Sequence, residues 1–524
     1  MSKQTFIKGT LTLIVAAFIT KILGFINRLV LARYVGEEGV GLYMMAVPSL
    51  VLIITITQLG LPVAISKLVS EAEAQNDRRK IKKILVVSLA ITGSLSILFT
   101  PAIIFLAPIL AEIFFTDPRT LYPLLAISPV VPIIAISSVL RGYFQGKQNM
   151  KPAAYSQILE QVVRISLIAI FTQAFLPYGI EYAAAGAMAS AVVGELISLL
   201  YLFAMFKLKK KVRIRKNFFK SIQNGKATMH ELLAIALPTT GSRLIGSVAW
   251  FFEPIVVAQS LAIAGVATSL ATKQYGALTG YAVTLLTLPS FITYSLSTSL
   301  VPAISEAMAQ KKFRLVEYRL QQALRLSFVT GGLAVVILYI YASPLMEVLY
   351  GNNNSAIFVQ IMAPFFIFYY LQGPLQASLQ ALNLARAAMI NSFIGAVIKT
   401  GLIFILASRP SLGIMGAALA IVVGMMVVTL LHFATVLKVI SFTIHIRQYT
   451  KCLITMALSG LIGYVFYKNL VFVDSPPLNL VICISFTTVS YCLFLIAFRL
   501  VEKEEIQRIP FIGSYLALLI PRKN

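Results

Sequence analysis

Residues 20–41 read TKILGFINRLVLARYVGEEGVG, and the fold turns on how this stretch is taken. It completes an apolar run that starts near Gly9, so it predicts the second half of a membrane-spanning helix. Lys21, Asn27 and Arg28 nevertheless stand inside it. An ionisable side chain near the bilayer centre costs about 2.5–3.5 kcal/mol, so one kept there ordinarily faces a partner or a water-filled cavity. Lys21 and Arg28 are seven residues apart, two helical turns, and share one face. Ser242-Arg243-Leu244-Ile245-Gly246 repeats the pattern of Thr20-Lys21-Ile22-Leu23-Gly24, which puts a matching cation in the second half of the chain.

The rest of the chain agrees with a membrane setting. Of 524 residues, 58% are hydrophobic and 12% charged, with mean hydropathy +0.86; soluble proteins carry about 25% charged residues. Apolar runs near 10–33, 44–66, 84–110, 121–140, 155–176, 183–206, 232–262, 277–304, 326–349, 356–381, 387–407, 412–437, 450–467 and 478–498 predict an all-α polytopic protein of 14 transmembrane helices. With both termini placed in the cytoplasm, the inside segments hold 33 Lys or Arg and the outside segments five. That alternation is the positive-inside rule. It accounts for the net charge of +25 without nucleic acid as a partner. Lys207 to Lys226 carries nine cations around Phe218 and Phe219, as a topology anchor or as a segment lying on anionic membrane lipids. Phe511 to Pro521 is apolar but too short to cross, which predicts an interfacial tail.

The chain also repeats itself. Pro62-Val63-Ala64-Ile65-Ser66 recurs as Val301-Pro302-Ala303-Ile304-Ser305 at the end of the second helix of each half. Gln145, Lys151, Ala153 and Arg164 map onto Gln380, Arg386, Ala388 and Lys399 at a constant offset of 235. The repeat predicts an N-terminal six-helix lobe over 1–206, a basic cytoplasmic linker over 207–231, and a C-terminal six-helix lobe over 232–437. Residues 438–524 then hold two additional helices and the tail. Six helices per half restores the starting side, so the lobes are pseudo-symmetric about an axis along the membrane normal, with a substrate site expected at their interface.

The charges inside the spans are the candidate site. Lys21, Arg28, Arg164, Arg243 and Lys399, with Asn27, are the candidate substrate-binding residues; Glu160, Glu195 and Glu253 are structural acids or sites for a coupling ion, Na⁺ or H⁺. Glu160 and Arg164 have i,i+4 spacing and predict an ion pair on one helix. Glu253, just before Pro254, could take a coupling ion or serve a nearby cation. Lys399 could equally snorkel to an interface. A net-basic cavity favours an anionic solute, and Arg holds phosphate oxygens in bidentate fashion.

Other chemistries lack their residues. Gly142-Tyr143-Phe144-Gln145-Gly146-Lys147 has three residues between its glycines and no following Ser or Thr, so it is not a phosphate-binding P-loop. His230, His432 and His445 are scattered, and Cys452, Cys483 and Cys492 lack metal-ligand spacing, so neither metal nor cofactor is expected. No nucleophile–base constellation is visible, and the chain is not expected to be an enzyme.

The runs KQTFIKGTL, KILGFINRLVLARYVGEEGVGLYMMA, LPVAISKLVSEA, VLRGYFQGKQNM, LPTTGSRLIGS and FFEPIVVAQSLAIAGVAT closely resemble the sporulation branch of the multidrug/oligosaccharidyl-lipid/polysaccharide exporter superfamily. That superfamily includes lipid II flippases and O-antigen-type flippases. The resemblance implies a V-shaped transporter working by alternating access. Its implied role is to move an undecaprenyl-pyrophosphate-linked peptidoglycan precursor outward during spore cortex synthesis. In the lipid II flippases, cations of the first helix and the C-terminal lobe line a cavity for the pyrophosphate, and two extra helices form a groove for the lipid tail. Lys21 sits at the position of a first-helix arginine of that family, in the shared Leu23-Gly24-Phe25 setting. The next family arginine falls on Asn27, with Arg28 displaced by one residue, and Arg243 supplies the charge that has no match before Pro289. The implied protein is a monomer with a polyprenyl-pyrophosphate-linked sugar as substrate and a cell-wall synthase as partner. A multidrug exporter and a non-transporting scaffold for cortex enzymes are the alternatives.

Overall fold

The computed structural model describes residues 3–209, 225–440, 443, 445–469 and 475–501. The centre of the basic linker and the Phe511–Pro521 tail lie outside the described residues. Among those described there are helices and no strands. The chain runs through α1 (Lys3–Gln58), α2 (Leu61–Ala74), α3 (Arg78–Ile109), α4 (Leu121–Ile127), α5 (Val130–Gly146), α6 (Lys151–Phe175) and α7 (Ile180–Lys209). It continues with α8 (Lys226–Ile263), α9 (Thr268–Tyr275), a π-helical stretch at Gly276–Val283, α10 (Ser290–Ala309), α11 (Phe313–Ile340), α12 (Ala342–Tyr350) and α13 (Ala356–Met362). The last helices are α14 (Phe366–Ala381), α15 (Ala385–Ala407), α16 (Ile414–Leu437), α17 (Ile446–Asn469) and α18 (Pro476–Ala497).

Helices are the expected solution for such a sequence, because hydrocarbon offers no partner to an unpaired peptide group. Twelve helical stretches among the described residues are long and apolar enough to cross a bilayer. A bent pair, Thr268–Thr287 with Ser290–Ala309 at 53°, adds a thirteenth when counted as one span. The sequence expectation of spans at 10–33 and 44–66 leaves a loop between them. Instead the helix bends at a single residue, Gly36, with φ 65° and ψ −173°, and resumes at Glu37. That backbone region is essentially restricted to glycine.

By packing, the chain divides into two compact units, Met1–Tyr281 with Ala396–Ala420, and Ala282–Gly395 with Ile421–Asn524. The sequence boundaries follow the internal repeat; the packing follows which helices touch. In the first unit, α2 buries Leu61, Ala64, Ile65, Leu68, Val69 and Ala72 against α3, the end of α5, and Leu232 and Ala236 of α8. This i, i+3, i+4 spacing gives α2 one packed face and leaves the opposite face, with Lys67 and Glu71, exposed. Asp77 caps α3 by accepting from the Arg79 and Lys80 amides at 3.0 and 2.9 Å.

In the second unit, Tyr341 anchors the two terminal helices. Its hydroxyl lies 2.7 Å from Thr487 Oγ1 and donates toward the Gly463 and Cys483 carbonyls at 3.2 Å each. Tyr491 donates to the Val329 carbonyl at 2.8 Å, and Phe466 stacks on Phe486 with centroids 3.7 Å apart. The terminal pair is therefore pinned along α11.

Candidate functional site

The three candidate acids, Glu160, Glu195 and Glu253, are each engaged by a cation on another turn or another helix. On α6, Arg164 Nη2 donates to Glu160 Oε1 at 2.7 Å across one helical turn. From α5, Arg141 Nη2 donates to Glu195 Oε1 and Oε2 at 3.0 and 3.2 Å and to Ser198 Oγ at 2.9 Å. The same Nη2 lies 3.5 Å from Glu160 Oε2, so one guanidinium corner serves both carboxylates. Ser137 Oγ also donates to Glu195 Oε1. The third acid, Glu253 on α8, is contacted directly by Lys399 Nζ from α15. Glu195 and Glu253 are buried, at 2% and 8% exposure, so each carboxylate depends on its cation.

Arg141 is the residue that charge counting misses. It stands just past the apolar run 121–140 and yet lies within α5, which continues to Gly146. The signal was available: Val139 and Leu140 before Arg141 and Tyr143 and Phe144 after it carry the apolar run past the charge.

The remaining sequence-predicted cations sit elsewhere. Lys21 is exposed and Arg28 half-buried on the part of α1 before Gly36. Asn27, between them in sequence, is 4% exposed, and its Oδ1 is buried without a hydrogen-bond partner. Arg243 is exposed on α8, and among the described residues no carboxylate pairs with it. α8 runs antiparallel along the part of α1 after Gly36. Thr55 Oγ1 and Ser247 Oγ are 2.9 Å apart, and a Cβ on Gly60 would stand 2.3 Å from Thr239 Oγ1 and 2.7 Å from the Ala236 carbonyl. Ser247 donates back to the Arg243 carbonyl at 3.1 Å.

Around the Gly36 bend within α1, a second polar network locks this unit. Arg119 grips Asp117 through Nε at 3.0 Å and Nη2 at 2.9 Å, and its Nη1 reaches Glu38 at 2.7 Å. Thr272 of α9 donates to Asp117 Oδ2 at 2.7 Å. The backbones touch here: a Cβ on Gly41 would lie 2.0 Å from the Thr272 carbonyl, and one on Gly276 2.0 Å from the Glu37 carbonyl. Burial works to raise the Asp117 pKa, but the hydrogen bonds from Arg119 and Thr272 and the Arg119 charge outweigh it, and the carboxyl stays below its ordinary value. Among the described residues, no cluster of His, Cys, Asp and Glu could hold a metal ion.

Apolar helices with charge pairs buried between them define a multi-pass membrane protein. Its fold is that of a solved lipid II flippase MurJ in an inward closed conformation, with TM-score 0.71 at 17% identity, covering 93% of this chain and 98% of that one. Residues 6–308 match the polysaccharide biosynthesis protein family and residues 254–405 match the MatE family. The chain belongs to the polysaccharide biosynthesis protein family. It is 64% identical to stage V sporulation protein B of Bacillus subtilis (strain 168) over 516 residues, 98% of this chain and all of that relative. It is also 24% identical to the lipid II flippase MurJ of the same organism over 483 residues, 87% of each chain.

Proposed function

We propose that this protein is a flippase, not an enzyme, that carries an undecaprenyl-pyrophosphate-linked peptidoglycan precursor across the cytoplasmic membrane by alternating access, in the service of spore cortex synthesis. Lys21, Arg28 and Arg243, with the Asn27 amide, receive the pyrophosphate. Arg164 and Lys399 act as counter-charges to Glu160 and Glu253. One observation carries this reading: Glu195, Glu160 and Glu253 are engaged by Arg141, Arg164 and Lys399, while Lys21 and Arg243 keep accessible side chains on apolar helices. A site with accessible cations and engaged acids has net positive charge for a phosphorylated head. Kinship with a sporulation protein and with a lipid II flippase supports the substrate class and the cortex role.

The same reading takes fourteen spans, both termini inside. The Val15–Ala74 stretch is 60 residues, about 90 Å of helix against about 30 Å of hydrocarbon. Counted as two spans on either side of Gly36, and with the bent pair as one, it raises the number from twelve to fourteen.

The test is a cell-based flipping assay on Lys21→Ala, Arg28→Ala and Arg243→Ala at matched protein levels. A charge-assisted hydrogen bond is worth about 1.5–3 kcal/mol, so each loss slows transport at least about tenfold. Wild-type rates in all three variants refute the pyrophosphate site.

A further inference from the structure

The exposed face of α2 and the end of α5 border an open groove of about 570 Å³, within the size range of small-molecule sites. Six of its lining side chains are polar: Ser66, Lys67, Ser70, Glu71, Gln145 and Gln148. Its walls are held close by backbone contact. A Cβ on Gly142 would lie 2.9 Å from the Pro62 carbonyl, and one on Gly146 2.7 Å from the Ser66 carbonyl. The Gly142–Gly146 pair that resembled half of a phosphate loop is therefore the seam between two helices. Gln148 takes a left-handed backbone, φ 55°, at a position where glycine is the ordinary choice.

Lys67 and Glu71 are one helical turn apart and both line the groove, yet among the described residues neither is in an ion pair. Neighbouring charges behave differently. Lys147 meets Glu73 at 3.5 Å and Lys80 meets Glu231 at 3.1 Å. The groove thus offers one cation, one anion, two hydroxyls and two amides. A lone cation with a carboxylate one turn away suits a phosphate poorly, and an acyl chain would cover Val63 and Met150 but leave both charges and both amides without partners. Hydroxyls and amides paired with both charges match a head group that is itself rich in hydroxyls and amides and bears both an amine and carboxylates.

We propose that this groove binds the sugar-peptide head of the lipid-linked precursor, on the side that the Lys/Arg bias assigns to the cytoplasm. The inference rests on the flippase reading above and adds a second subsite to it. Gly60 abuts Ala236–Thr240 of the antiparallel α8, Lys67 lies seven residues beyond it along α2, and Arg243 lies three residues beyond Thr240 in the opposite direction. At 1.5 Å per residue the groove and the Arg243 guanidinium are roughly 15 Å apart along the bundle. The pyrophosphate at Arg243 and the sugar-peptide in the groove are then two ends of one ligand.

The experiment measures binding to the full chain in nanodiscs of two lipids, the polyprenyl-pyrophosphate sugar-peptide and bare polyprenyl pyrophosphate. Lys67→Gln/Glu71→Gln alters side chains outside the packed face of α2, and Gln145→Ala a half-buried one on α5. The sugar-peptide lipid is expected to bind wild type more tightly than the bare lipid. In the variants its affinity falls about tenfold, the worth of one charge-assisted hydrogen bond, while the bare lipid changes less than about twofold. Equal losses for both lipids, or no loss for either, overturn the groove assignment. Equal wild-type affinity for the two lipids also overturns it but leaves the pyrophosphate site standing; failure of both to bind removes the two together. Competition for the groove by phosphatidylglycerol, but not by a soluble sugar-peptide, would make it a phospholipid head-group site and overturn the proposal.

Discussion

Replacing Lys399 by Met separates a counter-charge from a substrate ligand. The Lys399 and Glu253 side chains are 21% and 11% exposed, so water screens their contact only weakly. Met keeps the volume of the stem and removes the ammonium. Glu253 is then a buried carboxylate without its cation, and breaking such a pair from one side costs about 3–5 kcal/mol. The partial exposure of Lys399 places the expected loss near the lower end, about 3 kcal/mol, which is more than a hundredfold in the folding equilibrium. Glu253→Gln in the same chain removes the orphan charge, and the double variant should recover most of the loss. The cycle built from wild type, the two single variants and the double variant then shows a coupling of about 2 kcal/mol. The assay is unfolding of the purified protein in detergent, read beside transport in cells. Recovery of both stability and flipping in the double variant is the expected result. A Lys399→Met protein of normal stability that does not transport refutes the reasoning, since the ammonium would then act on substrate rather than on Glu253.

Gly276→Ala places a Cβ 2.0 Å from the Glu37 carbonyl where ordinary contact begins near 3.4 Å. It should force this packing apart by more than about 1 Å and lower stability by about 1–3 kcal/mol in thermal unfolding. Gly93→Ala, with nothing within 4 Å, should be neutral or slightly stabilising in the same measurement. The Asp117 network should be insensitive to pH from 8 down to 5. A depressed carboxyl contributes its stability above its unfolded value, about 3.9, and loses it as pH falls through the lower folded value. In thermal unfolding, Asp117→Asn should therefore be less stable than wild type at neutral pH, by a margin that holds from pH 8 to 5 and closes only in strong acid.

The membrane class was plain from composition, and most helices from the apolar runs, because hydrocarbon leaves the backbone little choice. The Glu160–Arg164 contact was legible because both partners lie on one helix, where i,i+4 spacing implies proximity. The Lys399–Glu253 and Arg141–Glu195 contacts were not. Their partners stand 146 and 54 residues apart, on helices apolar nearly all round. Periodicity in such helices does not reveal which face meets which neighbour. The sharp turn after Val35 was read as a loop because a polar Gly-Glu-Glu-Gly run ordinarily marks one. Here Glu38 is instead held by Arg119, which lets the helix restart at once.

That restart has a mechanical consequence. With the bend confined to one residue, two torsion angles govern how residues 3–35 are aimed relative to residues 37–58. Lys21 and Arg28 ride on the first arm, while Glu38 and Gly41 clamp the second. The aim of the basic arm is therefore set at one residue, with no unwound turn between its two cations and the clamped arm. A side chain at residue 36 would be strained in that backbone region and would turn the arm, with Lys21 and Arg28, to a different direction.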